Sequence, residues 1–304
     1  MKPRPIIIDT DPGIDDAAAI AIAILNPNLD VKLISTVGAN VEVEKTTVNA
    51  LRLVEFFNVD IPVAKGCGEP LMRKLEPCPE IHGATGMDGY DFPPVRRSPV
   101  EKHAVEAMRE ILMNSEEKIT LVALGTYTNV AILFRMYPEV KEHIEEIVVM
   151  GGGITGGNTN STAEFNIYND PHAASIVFQS GLPITMLGLN VTNQSRIYRA
   201  ACDKMNACNE TGHMLYSLFT RYKGGDLDQG AAIHDAGTMA YLLKPELYKF
   251  EMMSIEVATE GVASGTTVAD PRAVARGEKT PNVNVCTEVD AKGFEAWFVG
   301  EICK

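Results

Sequence analysis

The sequence predicts an α/β protein: a mostly parallel central sheet with helices on both faces, Rossmann-like, with inserted loops over the strand carboxyl ends. Short β-branched bursts alternate with stretches of helical spacing from one end of the chain to the other. No Ser/Gly linker and no internal repeat breaks the rhythm, so residues 1–304 read as one domain. The 304 residues are 45% hydrophobic and 22% charged, enough to bury a large core without a disordered remainder.

Taken in order, Ile6 to Ile8 is a strand, and Asp15 to Leu25 a helix. Val31 to Val37 is β-branched; Val43 to Phe57 carries Val48, Leu51 and Val54 at helical spacing. Ile61 to Ala64 gives a third strand. Gly66 to Ser98, rich in Pro, Gly and charge, reads as a functional loop region. A helix over Val100 to Met113 leads to the strand Ile119 to Leu124, a helix from about Asn129, and the strand Ile147 to Met150. Asp170 to Gln179 is a helix, Ile184 to Leu189 a strand, and Glu210 to Tyr222 and His234 to Leu243 are helices. Strands at Ser254 to Ala258 and Val283 to Val289 precede a closing helix from Ala291 to Ile302. Thr192 to Ile233 reads as a second insertion. Such sheets bind ligands beyond the carboxyl ends of their strands.

Charge excludes several functions. Against 40 Asp plus Glu stand 27 Lys plus Arg, a net charge of −13. A nucleic-acid or anionic-membrane binder needs a basic face, so neither partner is expected. The longest apolar run, Ala17 to Leu25, is too short to span a bilayer. The N-terminus enters a strand almost at once, without a secretory leader, and the chain reads as cytoplasmic. Its six cysteines (Cys67, Cys78, Cys202, Cys208, Cys286, Cys303) are scattered with no CxxC pair. They are expected as reduced thiols, which disfavours a zinc site.

The most informative segment is Asp9-Thr10-Asp11-Pro12-Gly13-Ile14-Asp15-Asp16, four carboxylates directly after a buried strand. Pro12-Gly13 supplies the turn. Asp15 and Asp16 diverge by about 100° on the helix, so they can serve different partners, and Asp11 can converge with one of them. One or two Asp residues at a helix start are explained by capping and the dipole. Four are not, because no Lys or Arg occurs between Arg4 and Lys32. Either a distant cation folds in or a metal sits there, and carboxylates with few soft neighbours favour Ca²⁺ or Mg²⁺.

Further along, the glycines Gly151 to Gly157 only loosely meet a dinucleotide-loop spacing. Asn158, Glu164 and Asn166 in the polar loop that follows suit the vicinal hydroxyls of a sugar, or form Asx turns. His82 and His234 are the histidines set among glycines or acids; Asp235 could join the first acids at a shared sheet edge, with a backbone carbonyl near Thr128-Asn129.

Together, Asp9 to Asp16, Gly125-Thr126-Tyr127-Thr128-Asn129, Ala163-Glu164-Phe165-Asn166 and His234-Asp235 resemble the calcium-dependent nucleoside hydrolases, of the inosine-uridine preferring type. The resemblance runs from the first strand to the closing helix. Ser264 to Val268 and Thr211 to Tyr222 look most like the broad-specificity bacterial ribonucleoside hydrolases. It implies hydrolysis of the N-glycosidic bond of purine and pyrimidine ribonucleosides by a calcium-bound water, in a homo-oligomer (dimer or tetramer). It matches Asp11 to the general base that also touches calcium, Asp16 and Asp235 to calcium ligands, and Thr128 to the carbonyl donor. Asp15, Asn40, Met150, Asn158, Glu164, Phe165 and Asn166 match the ribose side, His234 the proton donor to the leaving base, and His82 and Tyr222 its base-side loops. The sequence departs from the family at Thr126-Tyr127 and Ala236, where relatives commonly carry Pro-Leu and Pro. Two other readings stand beside it: a Mg²⁺-dependent phosphohydrolase with Asp9 as nucleophile, and a catalytically silent nucleoside-binding protein.

Overall fold

A computed structural model describes residues 2–304. Its main sheet is built from β1 (Arg4–Thr10), β2 (Leu29–Thr36), β3 (Val63–Lys65), β4 (Ile119–Ala123), β5 (Ile144–Met150) and β6 (Ile184–Leu187). Two small antiparallel ribbons follow: β7 (Arg196–Ile197) with β8 (Ala231–Ala232), and β10 (Ile255–Val257) with β11 (Thr267–Ala269). β9 (Tyr248–Met253) and β12 (Val283–Val289) complete the main sheet in the order β3-β2-β1-β4-β5-β6-β12-β9. Every neighbouring pair is parallel except β12 with the edge strand β9.

The apolar bursts explain this arrangement. Ile6 and Ile8 of β1 pack into one core and Ile7 into another on the opposite face, and all three are fully buried. A strand covered on both faces has to be apolar on both, which is why it reads as a run and not as an alternation. The Ile14–Leu25 helix shows the same logic: Ala17, Ala18, Ala19, Ala21 and Ala23 are buried all round it, and their small size lets it lie deep in the first core. From β1 the chain passes to β2 on one side, while β4 pairs on the other. This reversal opens a crevice at the carboxyl end of β1, where the four-carboxylate octet begins.

The structure departs from the sequence reading in several places. The expected helix from Val100 starts only at Ala104, because Val100 bridges to Ala64 and donates its N–H to the Val63 carbonyl at 2.8 Å. The helix Arg199–Asn206 and the strand β9 have no counterpart in the apolar pattern: the helix is mostly polar, and β9 exposes Lys249, Glu251 and Met252. The polar stretch after Asn158 contains a short helix, Phe165–Asn169, which the Glu164 carboxylate caps. The expectation of six reduced thiols is corrected at one pair: Cys208 and Cys303 form a disulfide, with Cα atoms 5.5 Å apart and 95 residues between them in sequence. Asn209 Nδ2 donates to the Ile302 carbonyl at 2.7 Å beside it, so the same two segments are joined twice. Spacing along the chain carried no sign of this meeting. The other four cysteines are free thiols. Among the described residues no helix is long and apolar enough to cross a membrane.

Non-reducing peptide mapping is expected to recover the Cys208 and Cys303 peptides linked. Cys303→Ser should then lower unfolding stability by about 2–4 kcal/mol, read by denaturant titration under oxidising conditions. Equal stability of the two proteins would count against the bond.

Candidate active site

Pro12-Gly13 turns the chain from β1 into the Ile14–Leu25 helix under tight constraint. A Cβ on Gly13 would lie 2.6 Å from both Asn40 Nδ2 and His82 Nδ1. Asp16, in the helix's first turn, reaches back: its Oδ2 accepts from the Gly13 N–H at 2.9 Å and from Asn40 Nδ2 at 3.1 Å, and its Oδ1 from Thr10 Oγ1 at 2.5 Å. Asn40 also donates its backbone N–H to Asp11 Oδ2 at 2.8 Å. One asparagine after β2 thus orients two of the acids.

From the far side Asp235, just before the Ala236–Leu243 helix, arrives at the same place. Carboxylate oxygens of Asp15, Asp16 and Asp235 lie within 4.8 Å of one another, all three residues buried. Asp15 and Asp16 therefore converge on one group, despite their divergence on the helix. Asp11 stands beside it, buried and close enough to feel Asp16 and Asp15. Burial first, and then the neighbouring acids, raise the carboxyls of Asp11, Asp15 and Asp235; burial raises Asp16 against its hydrogen bonds from Thr10 and Gly13.

No lysine or arginine among the described residues pairs with these acids. The nearest candidate cation is His82, with Nδ1 4.0 Å from Asp15 Oδ1. That nitrogen accepts the Ile14 N–H at 3.1 Å, so it is not free to carry a proton. Burial, with His234 nearby, pushes the His82 pKa down to about 3. The folded-in cation that the sequence left open is absent among the described residues. An uncompensated cluster of hard oxygen donors is a fit for a divalent cation.

The acids open into a cavity of about 550 Å³. Asp15, Asn40, His82, Met150, Asn158, Glu164, Phe165, Asn166 and Tyr222 all line it, together with Asp11, His234 and Asp235. On one wall Glu164 accepts the N–H groups of Gly152 at 2.9 Å, Asn166 at 3.0 Å and Ile167 at 3.2 Å. Burial pushes its carboxyl up to about 7 against those bonds. Asn166 Nδ2 donates to the carbonyls of Leu124 at 2.6 Å and Met150 at 3.2 Å. On another wall the rings of His82 and Tyr222 lie 5.3 Å apart. His234 Nδ1 is 2.8 Å from Thr192 Oγ1, which leaves Nε2 as the unengaged ring atom. Burial, with the Arg196 guanidinium, pushes its pKa down to about 4, so the ring is neutral at pH 7.

Thr128 and Asp9 stand apart from the cavity. Thr128 opens the Thr128–Met136 helix, and its hydroxyl donates to Asp170 Oδ2 at 2.7 Å. Leu124, four residues earlier and just past β4, does line the cavity, and its carbonyl accepts from Asn166 Nδ2, another lining residue. Asp9 points to the back of the sheet: Oδ1 accepts from Ser35 Oγ at 2.6 Å and Asn129 Nδ2 at 2.8 Å. Its Oδ2 is buried without a partner, and burial pushes its pKa up to about 6. An attacking nucleophile has to face its substrate, and Asp9 does not. Gly125 is a further functional position: a Cβ there would meet Asp11 Oδ1 at 2.5 Å.

A sequence profile described as inosine-uridine preferring nucleoside hydrolase matches residues 6–296. The chain is 47% identical over 293 residues to proteins named non-specific ribonucleoside hydrolase RihC from Salmonella typhimurium and Salmonella typhi, covering 96% of this chain and 95% of each relative. Among solved structures it is similar to a plant nucleoside hydrolase, PpNRh1, at 31% identity and a TM-score of 0.92, over 99% of both chains. A purine-preferring ribonucleoside hydrolase from Gardnerella vaginalis superposes with a TM-score of 0.92 at 28% identity, over 99% of this chain and 98% of that one.

Two outcomes follow from the site. A carboxyl whose folded pKa is raised binds its proton more tightly in the folded state. The cost of ionising it is absent below about pH 4 and grows as pH climbs, so the metal-free fold should weaken with rising pH. In chelator the melting temperature is expected to fall between about pH 5 and pH 8, and an added divalent cation to restore more at the upper end. A melting temperature indifferent to the cation at both ends would sink the idea. Gly125→Ala should weaken cation binding by about 10–100-fold in calorimetry, by displacing Asp11, while leaving the fold intact.

Proposed function

The chain belongs to the inosine-uridine preferring nucleoside hydrolase family, and on that premise we propose that its cavity hydrolyses purine and pyrimidine ribonucleosides to ribose and free base with calcium as the resident cation. One observation carries the proposal: a buried, uncompensated carboxylate cluster and a wall of amide and carboxylate groups share a single cavity. The reading covers residues 1–304 as one domain.

Asp11, Asp16 and Asp235 would hold the cation, with Asp15 close by and the carbonyl of Leu124, in place of that of Thr128, as the neutral donor. The absence of any cysteine or histidine from the three-acid group favours a hard ion such as calcium over zinc. When bound, the ion supplies fixed positive charge that lowers the pKa of an adjacent water.

The rest is the work of the chain's own groups. Asp11, held by the Asn40 N–H, accepts the proton of the attacking water. As the base departs, positive charge grows on the ribose, and the surrounding carboxylates stabilise it. Asn158, Glu164 and Asn166 orient the sugar hydroxyls, with Met150 and Phe165 against its apolar side. His82 and Tyr222 offer ring faces to the base. His234, its Nδ1 occupied by Thr192, presents Nε2 to the leaving base as a hydrogen-bond donor and, through its protonated fraction, as a proton source.

We also place the enzyme in the cytoplasm as a homo-oligomer, dimer or tetramer, which light scattering on the purified protein would read. The direct test is release of base and ribose from inosine, adenosine, uridine and cytidine, with and without chelator. A folded, calcium-loaded protein that binds these nucleosides and releases nothing would instead be a silent binder. His234→Ala is expected to lower kcat/KM for inosine by about 100-fold or more, and for p-nitrophenyl riboside by less than about tenfold. Equal losses would remove His234 from the proton-donor role.

A further inference from the structure

The cavity's charge is one-sided. Six of its lining residues are acids: Asp11, Asp15, Glu76, Glu80, Glu164 and Asp235. Lys223 is the single lysine or arginine among the described residues that line it. It follows Tyr222 directly, and its backbone N–H donates to the Ile81 carbonyl at 3.1 Å, so it is tied to the His82–Tyr222 ring wall. Among the described residues no carboxylate lies within ion-pairing distance of its ammonium. A second hollow of about 560 Å³ shares Tyr222, Lys223 and Gly224 with the cavity, so these three residues separate two open spaces.

From this placement we propose that Lys223 is a specificity-determining residue, favouring ribonucleosides whose base carries carbonyl oxygens or negative charge at the end remote from the sugar. The inference rests on the nucleoside hydrolase reading above. An ammonium donates three hydrogen bonds and accepts none. It therefore suits the ring oxygens of an oxopurine and is mismatched to the exocyclic amine of adenine. Xanthosine separates the two cases best, because its base has two ring carbonyls and an N–H acidic enough to be partly ionised near neutral pH. With calcium offsetting the acids of the cluster, Glu76, Glu80 and Glu164 still repel such an anion unless a cation stands where the base reaches. Exposure of Lys223 keeps the expected effect modest and sensitive to salt.

The test compares kcat/KM for xanthosine and adenosine in the calcium-loaded wild type, Lys223→Met and Lys223→Arg, across the pH range in which xanthosine ionises. The expected result is a xanthosine-to-adenosine ratio about tenfold lower in Lys223→Met, with its pH dependence flattened, and largely retained in Lys223→Arg. High salt should shrink the wild-type ratio toward that of Lys223→Met. If all three proteins cleave adenosine and share one ratio and one pH profile, Lys223 has no part in base selection. A folded, calcium-loaded wild type that cleaves neither nucleoside overturns the hydrolase reading itself, and this inference with it.

Discussion

Like charges held together in a buried place are the constraint on which the rest of this structure depends. Asp15, Asp16 and Asp235 come from two helix starts, with Asp11 from the turn beside them, and all are removed from water. At such separations mutual repulsion in a low-dielectric setting exceeds what a few hydrogen bonds return. The protein does not relieve it with an internal cation: the nearest base, His82, spends its Nδ1 on a backbone N–H. Relief has to come from outside, and this makes the cluster a binding site as well as a structural cost.

The fold is arranged to bear that cost locally. The sheet reverses its winding at β1, so the octet lies where two neighbouring crossovers part and no third strand closes the gap. Small residues do the close packing. The alanines of the Ile14–Leu25 helix bring its first turn against the sheet, and Gly13 and Gly125 leave room for Asn40 and the Asp11 carboxylate. Behind the acids, Asp9, Ser35 and Asn129 form a second polar layer joining β1, β2 and the loop after β3, where the Cys67 N–H donates to Asn129 Oδ1 at 2.9 Å. Asp9 belongs to this foundation and is separate from the chemistry above it.

How much of this was legible in the sequence depends on what carried each signal. Buried parallel strands were legible because being apolar on both faces leaves continuous runs, as at Ile6 to Ile8 and Ile119 to Leu124. β9 and the Arg199–Asn206 helix were not, since exposed residues on an edge strand and a surface helix interrupt the apolar period. At the site, side chains whose type is itself the evidence could be read as candidates: the acids of the octet, Glu164 and Asn166, while Asn40 entered only through the family resemblance. Features that act through backbone or through distant meeting could not. The Leu124 carbonyl has no residue signature, and the Cys208–Cys303 link joins positions 95 apart whose spacing resembles no framework.

The same division explains why base preference is harder to read than the reacting centre. The acids of the cluster sit at the end of a strand and the starts of helices, and Glu164 caps a helix, so the framework fixes their positions. The wall we assign to the base is assembled from the two insertions, His82 from the first and Tyr222 and Lys223 from the second, meeting through the contact of the Lys223 N–H with Ile81. A wall of that kind changes with loop length and with a single exposed side chain, without disturbing the core. On the proposed reading, cleavage chemistry belongs to the sheet, and choice of base to the insertions. A hydrolase of this design can alter what it accepts while the carboxylate cluster beneath stays fixed by its own need for a cation.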